Sequence, residues 1–419
     1  MTVVDDAPAT PQQVAMLVNA ANSLQPTVFN VPTKITLVGD LDIDALEAAL
    51  GEVISRHGAL RCRFVNEGGW RQKVLAPQPF RLRCEDVQAE HVDEICHMLA
   101  NEPFDLAETT LPVCRLMRVD TDTWVLMLVM HHIAVDGWAL TLVLQELAQL
   151  YGGAALAPPG AQCTDYGRWL HHNPQVDARK MAFWRDYLDG VPLAPSMPTD
   201  RPRPERMSGQ GTTALDHVSG TTRAAVEALA SARRTTPFSV LAAALAVRLA
   251  QLSGERKIAF AVSYANRERR EFESMVSCTR VAVIVRVIVN ETMTFGELVS
   301  HAAVAVLEAI ANALPMDLVV TEQPSVALAF MNYQDKEISF AGVDTVVEDM
   351  TAAGARRDQT VGLFQKADGY LAFLEHSTDL WDPKTGEDLL TGYTGLLADL
   401  CAEPDRPALW DHPTTHPLR

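Results

Sequence analysis

Two histidines, an aspartate and a glycine fall together in His131-His132-Ile133-Ala134-Val135-Asp136-Gly137. These residue types suit proton transfer to or from a reacting carbonyl. Histidine titrates near neutrality, so a neutral imidazole here can accept a proton. Gly137 lets a substrate approach the backbone closely. If a helix starts at this point, its unbonded N–H groups can stabilise a developing oxyanion. The plainer readings are that adjacent histidines are polar loop residues and that Asp136 only caps the following helix. His and Asp are also metal-ligand types, but neighbouring side chains on extended backbone point to opposite faces, so one ion cannot easily reach both histidines and no metal is expected.

The flanking segments explain how such a cluster is held. Trp124–Met130 (WVLMLVM) is continuously apolar and reads as a strand buried on both faces. Gly137–Tyr151 reads as a helix, with Leu140, Val143, Leu144, Leu147, Leu150 and Tyr151 at helical spacing. The motif is thus a polar insertion between a buried strand and an amphipathic helix. Upstream, Phe29–Val38 and Leu60–Val65 read as strands. Between them Asp44-x-x-Glu47 has capping-box spacing before a helix with Leu46, Ala49, Leu50, Val53 and Ile54 on one face. His57 continues that face and reads as a core histidine. The alternation of helix, strand and turn to about residue 150 indicates an α/β or α+β layered fold. His171-His172 has no buried strand before it and no Asp-Gly after it, and reads as structural.

Pro192–Pro204 holds prolines at 192, 195, 198, 202 and 204, which excludes a helix or an inner strand and predicts an extended connector. Beyond it Thr222–Arg233 and Phe238–Leu252 read as helices, Lys257–Tyr264 and Val281–Val289 as strands. The two halves share a helix-then-strand rhythm, so the expectation is two similar lobes, residues 1–175 and 176–419. Only the first carries a histidine pair.

At 419 residues, 48% hydrophobic and 21% charged, the chain has ample material for large cores. The net charge of −18 and the shortness of the basic clusters (Arg267, Arg269, Arg270; Arg201, Arg203, Arg206) argue against nucleic acid. Seven cysteines without a C-x-x-C pair suit reduced thiols. The start, MTVVDDAPATPQQ, lacks the features of a secretory signal, and Trp124–Met130 is too short to span a bilayer. A cytoplasmic protein without a membrane partner is expected. G-x-S-x-G, Walker and Rossmann motifs are absent from the sequence.

The sequence resembles the condensation-domain family of nonribosomal peptide synthetases, within the chloramphenicol-acetyltransferase-like superfamily. Met130–Gly137 matches its HHxxxDG signature, Arg56-His57-Gly58-Ala59-Leu60-Arg61 with Phe64 its RHxxLRxxF segment, and Phe183–Leu188 its YWxxxL stretch. Pro198–Pro204 (PTDRPRP), Thr236–Leu241, Ala265-Asn266-Arg267 and Leu374–Trp381 (LEHSTDLW) are similar to further family segments. The resemblance runs from about residue 10 to 405. It implies two acetyltransferase-like lobes in a V with an active-site tunnel between them. It also implies an acyl donor on the phosphopantetheine arm of a carrier protein, with no permanently bound cofactor.

By the same resemblance His132 is the catalytic histidine and His131 and Asp136 hold its loop. Asp136 is ion-paired to Arg267, and the Gly137 N–H faces the reacting carbonyl. Trp138 either lines the channel or packs the helix start; Ser277 and Arg280 are further lining candidates. Two departures stand out. Ala139 replaces the usual serine, and Ser277-Cys278-Thr279-Arg280-Val281-Ala282 stands where the family often has GFFVNT. The signatures of epimerization and heterocyclization domains are absent. Met1 and the unmatched tail Ala408–Arg419 suggest a free-standing, monomeric enzyme served by a carrier protein in trans. Its acceptor is an amine or an alcohol, giving an amide or an ester. The alternatives are an acyl-CoA-dependent transferase and a recruitment module without chemistry.

Overall fold

The computed structural model describes residues 2–22, 25–173, 177–331, 338–350 and 352–409. Met1 and residues 410–419 of the tail lie outside them. Two compact units result. The first comprises Met1–Gln175, Ala265–Arg280 and Lys336–Ala353; the second comprises Val176–Tyr264, Val281–Asp335 and Gly354–Arg419. Two segments that follow residue 175 in sequence therefore belong to the first unit, a departure from a simple cut of the chain in two.

In the first unit the strand Thr123–His131 is the centre of a five-stranded sheet. The strand order is Val343–Asp349, Asn30–Gly39, Thr123–His131, Val113–Arg118, Arg83–Asp86, antiparallel except for the last pair. Its continuous apolar run has a concrete cause. Trp124, Leu126, Leu128 and Met130 enter one core with the helices Ile43–Arg56 and Gly137–Tyr151. Val125, Met127 and Val129 point the other way, into a second core with Val92, Cys96 and Leu99 of the helix Val92–Ala100. At roughly 1.5–3 kcal/mol per large side chain buried, both faces hold the strand and fix its end rigidly. A smaller antiparallel sheet joins Val3–Pro8, Trp70–Leu75 and Cys62–Asn66.

The second unit has a six-stranded mixed sheet, in the order Val281–Ile288, Lys257–Tyr264, Val326–Met331, Gln359–Lys366, Gly369–Ser377, Gly211–Ser219. The helices Pro237–Ser253, Phe295–Ala311 and Pro383–Ala402 pack with it around one core. Gly254 closes the first of these in the left-handed region at φ 75°, where a side chain would be strained. Each unit is thus a mixed α/β layered structure, and Pro192–Pro204 runs without helix or strand, as its prolines require.

Element boundaries follow the sequence periodicity closely, with one correction at a cap. The N-cap of Ile43–Arg56 is Asp42, whose side chain accepts from the Ala45 N–H, and not Asp44. Glu47 is drawn away from the helix start, because its carboxylate accepts from the Leu82 N–H and pairs with Arg81. Among the described residues no single helix is long and apolar enough to cross a membrane.

Candidate active site

His131 is the last residue of the central strand and pairs with Asn30. The next N–H, that of His132, donates to Phe29 O at 2.7 Å, and the Ala134 N–H donates back to His131 O at 2.9 Å. The turn is therefore tied down at once on leaving the strand. The two histidine rings then part. His131 is buried, its ring centroid 6.1 Å from that of Phe29 and 5.6 Å from that of Phe104. Burial pulls its pKa down to about 4, so at neutral pH it is uncharged. Its Nδ1 accepts from the Ile133 N–H at 3.1 Å, which puts the ring proton on Nε2.

His132 is half-buried, and its Nδ1 lies 2.7 Å from Val135 O. A carbonyl only accepts, so Nδ1 carries the proton, and in the neutral ring the lone pair sits on Nε2. The ring is thus held as one tautomer by a backbone atom three residues away. Cys278 Sγ lies 4.0 Å from the same Nδ1. Burial, with the Asp136 charge adding to it, pushes the Cys278 thiol up to about 12, so it stays protonated beside the histidine.

Asp136 is both a cap and an ion-pair partner. Its Oδ1 accepts from the Ala139 N–H at 2.9 Å, capping Gly137–Tyr151, and from Arg267 Nη2 at 3.2 Å. Its Oδ2 accepts from the Thr279 N–H at 2.9 Å. The Thr279 hydroxyl stands 3.2 Å from the same oxygen and 2.7 Å from Ala265 O, with one proton to give. Both charged side chains are nearly sealed from solvent, at 4% exposure for Asp136 and 3% for Arg267. Arg267 also donates to the carbonyls of Phe272, Met275 and Ser277 at 2.7, 2.7 and 3.0 Å. One guanidinium therefore gathers its own loop and fastens it to the motif.

With Ala139 N and Leu140 N taken by Asp136, the N–H groups of Gly137 and Trp138 have no acceptor among the described residues. They open the helix, where the macrodipole favours negative charge. Trp138 is 39% exposed, and its indole N–H donates to Glu273 O at 2.8 Å, a second tie between the helix start and the loop. Ser277, expected to line a substrate path, is instead wholly buried and acts through the carbonyl that Arg267 takes. Arg280 is half-buried at the end of the same segment.

Thr279 is a partner of Asp136 that sequence reasoning misses. The match at Arg267 shows where the loop starts but not which later backbone group closes on the carboxylate. His57 lies away from this cluster, buried, with Nε2 2.8 Å from Glu146 Oε2. His171 and His172 are exposed at the end of the helix Cys163–His172. Among the described residues there is no group of three or more His, Cys, Asp or Glu able to hold a metal ion.

Comparison with known proteins identifies the family. Residues 3–407 match the Condensation domain family. The chain is 30% identical over 406 residues to a probable non-canonical nonribosomal peptide synthetase, CymA, of Salinispora arenicola, covering 90% of this chain and 5% of that protein. It is 27% identical over 410 residues to the phosphinothricin tripeptide synthetase PhsC of Streptomyces viridochromogenes, covering 90% of this chain and 37% of that one. It thus spans a small part of these relatives. Among solved structures, the X-domain from teicoplanin biosynthesis has a TM-score of 0.84 at 22% identity, over 97% of this chain and 98% of that one. The SgcC5 protein of Streptomyces globisporus, solved with a naphthyl ethanediol and sucrose, has a TM-score of 0.81 at 23% identity, over 96% and 100%. The first condensation domain of the calcium-dependent antibiotic synthetase has 0.84 at 17% identity, over 97% and 98%. The two-unit α/β fold is theirs, and the chain belongs to the condensation-domain family.

Proposed function

We propose that this chain is a free-standing acyltransferase. It moves an acyl or aminoacyl group from the phosphopantetheine thioester of a separate carrier protein to an amine or alcohol, in natural-product biosynthesis. The observation that carries the reading is the orientation of His132. Its Nδ1 proton is committed to Val135 O, which leaves Nε2 as the proton acceptor.

In the reaction the acceptor N–H or O–H gives its proton to Nε2 as the nucleophile bonds to the thioester carbon. The Gly137 N–H faces the oxyanion that forms. Collapse breaks the C–S bond, and the leaving thiolate takes the proton back from the imidazolium. His131, Asp136, Arg267 and Thr279 position the loop and do not touch substrate. Alignment of thioester and nucleophile supplies several kcal/mol of barrier lowering. His132 adds roughly 10²–10⁴-fold.

The test is to incubate the protein with an aminoacyl carrier protein, or the matching acyl-CoA, and a panel of amines and alcohols. Products are read by mass spectrometry for wild type and His132→Ala. Product that appears with the carrier and falls at least 100-fold in the variant supports the reading. Product from acyl-CoA alone shifts the donor, and equal turnover by the two proteins removes His132 from the mechanism. A second reading, a recruitment module without chemistry, is favoured by the likeness to X-domains, one of which was solved in complex with OxyB. Carrier or partner binding without any product would support it.

A further inference from the structure

The helix Pro237–Ser253 is an unusual place for a charge, because twelve of its seventeen residues are buried and the rest of that buried set is apolar apart from Ser239. Yet Arg248 sits in it at 4% exposure. Among the described residues its guanidinium makes no hydrogen bond and no ion pair, and its Nε is fully enclosed. Burial lowers its pKa, and among the described residues no carboxylate pairs with it. An arginine cannot escape this by losing its proton at any ordinary pH. A cation this nearly buried, with an enclosed and unpaired Nε, is a costly arrangement in a protein interior.

The neighbourhood is built around the charge. Gly392, on the facing helix Pro383–Ala402, is where the guanidinium rests, and a Cβ there would collide with its Nη2. One turn on, Gln251 lies on the same helix face and also has a buried amide oxygen without a partner. Turning that amide by 180° puts its NH₂ at the buried position, where it becomes a second donor. A planar fork of N–H groups plus an amide donor, with no carboxylate paired to it among the described residues, matches one ligand chemistry.

We propose that Arg248, seated on Gly392 and assisted by Gln251, is a binding site for a small oxyanion, a carboxylate or a phosphate group. The fork geometry of the guanidinium accepts either in bidentate fashion.

The test titrates the whole protein with sodium phosphate or sodium formate against sodium chloride at equal ionic strength and follows the thermal midpoint. Wild type should show a saturable rise of about 2 °C or more with at least one oxyanion. Arg248→Met should show none of it, while any general salt effect remains in both proteins. A response to formate without phosphate assigns the site to carboxylates, and a response to phosphate assigns it to phosphate groups. No saturable response in wild type, or the same response in Arg248→Met, overturns the proposal. If the variant does not fold, ³¹P line broadening of inorganic phosphate by wild type, reversed by excess formate, decides instead; unbroadened lines together with a formate-insensitive midpoint sink the idea.

Discussion

Asp136 and Arg267 stand 131 positions apart in sequence, yet their side chains meet at 3.2 Å with almost no solvent around them. Each is bonded to backbone groups as well as to the other: Asp136 takes the N–H groups of Ala139 and Thr279, and Arg267 gives to three carbonyls. Removing either partner therefore strands a charge. Arg267→Met should cost about 3–5 kcal/mol, measured by urea unfolding. The double variant Asp136→Asn with Arg267→Met should cost clearly less than the sum of the two singles. Additive losses would mean that the pair carries no coupling.

Thr279→Val keeps the backbone N–H on Asp136 Oδ2 and deletes only the hydroxyl bonds. The expected loss is about 1 kcal/mol of stability. Acyl transfer should fall severalfold in kcat with little change in KM, because the loop that presents His132 is loosened while binding surfaces stay. A KM effect without a kcat effect would contradict a positioning role.

His131 gives the chain an acid limit. Its folded pKa, about 4, lies below the ordinary 6.5, so the unfolded chain binds a proton that the folded chain refuses. Its contribution is complete above pH 6.5 and declines as pH falls toward 4, by about 3 kcal/mol in all. Buried His376, whose pKa burial also lowers, works in the same direction. Urea midpoints measured from pH 7.5 to 4 should fall, and the slope should be shallower in His131→Phe. An unchanged slope in that variant would put the titration elsewhere.

The Cys278 thiol, buried and pushed up to about 12, should resist iodoacetamide at pH 8 in the folded protein. The exposed Cys84 should label first, and Cys278 only after denaturation. Rapid native labelling of Cys278, read by peptide mapping, would show that the surroundings of His132 are open to small electrophiles.

The parts of the fold governed by local pattern are legible in the order of the residues. The helix Gly137–Tyr151 and the strand Lys257–Tyr264 have the bounds that periodicity predicts, because single-face and double-face burial leave distinct signatures. Spacing alone misplaces the first cap by two residues, because Asp42 and Asp44 are chemically equivalent and only tertiary contacts of Glu47 decide between them. The site is half legible. Histidines, aspartate and glycine are contiguous, whereas Thr279 and the Trp138–Glu273 tie depend on a loop that has no periodicity of its own. The resemblance makes Ser277 a lining candidate, and nothing in its type reveals that it is buried with its carbonyl taken by Arg267.

Because Ala265–Arg280 and Lys336–Ala353 complete the first unit, that unit cannot finish during translation when its first 175 residues emerge. A nascent chain that has not yet reached Arg267 holds Asp136 without its counterion. Until Val343–Asp349 arrives, the sheet also shows the open hydrogen-bonding edge of Asn30–Gly39. Ribosome-bound fragments ending near residue 200 should accordingly be protease-sensitive around the histidine motif, and an expression fragment cut at residue 175 should aggregate where the full chain stays dispersed.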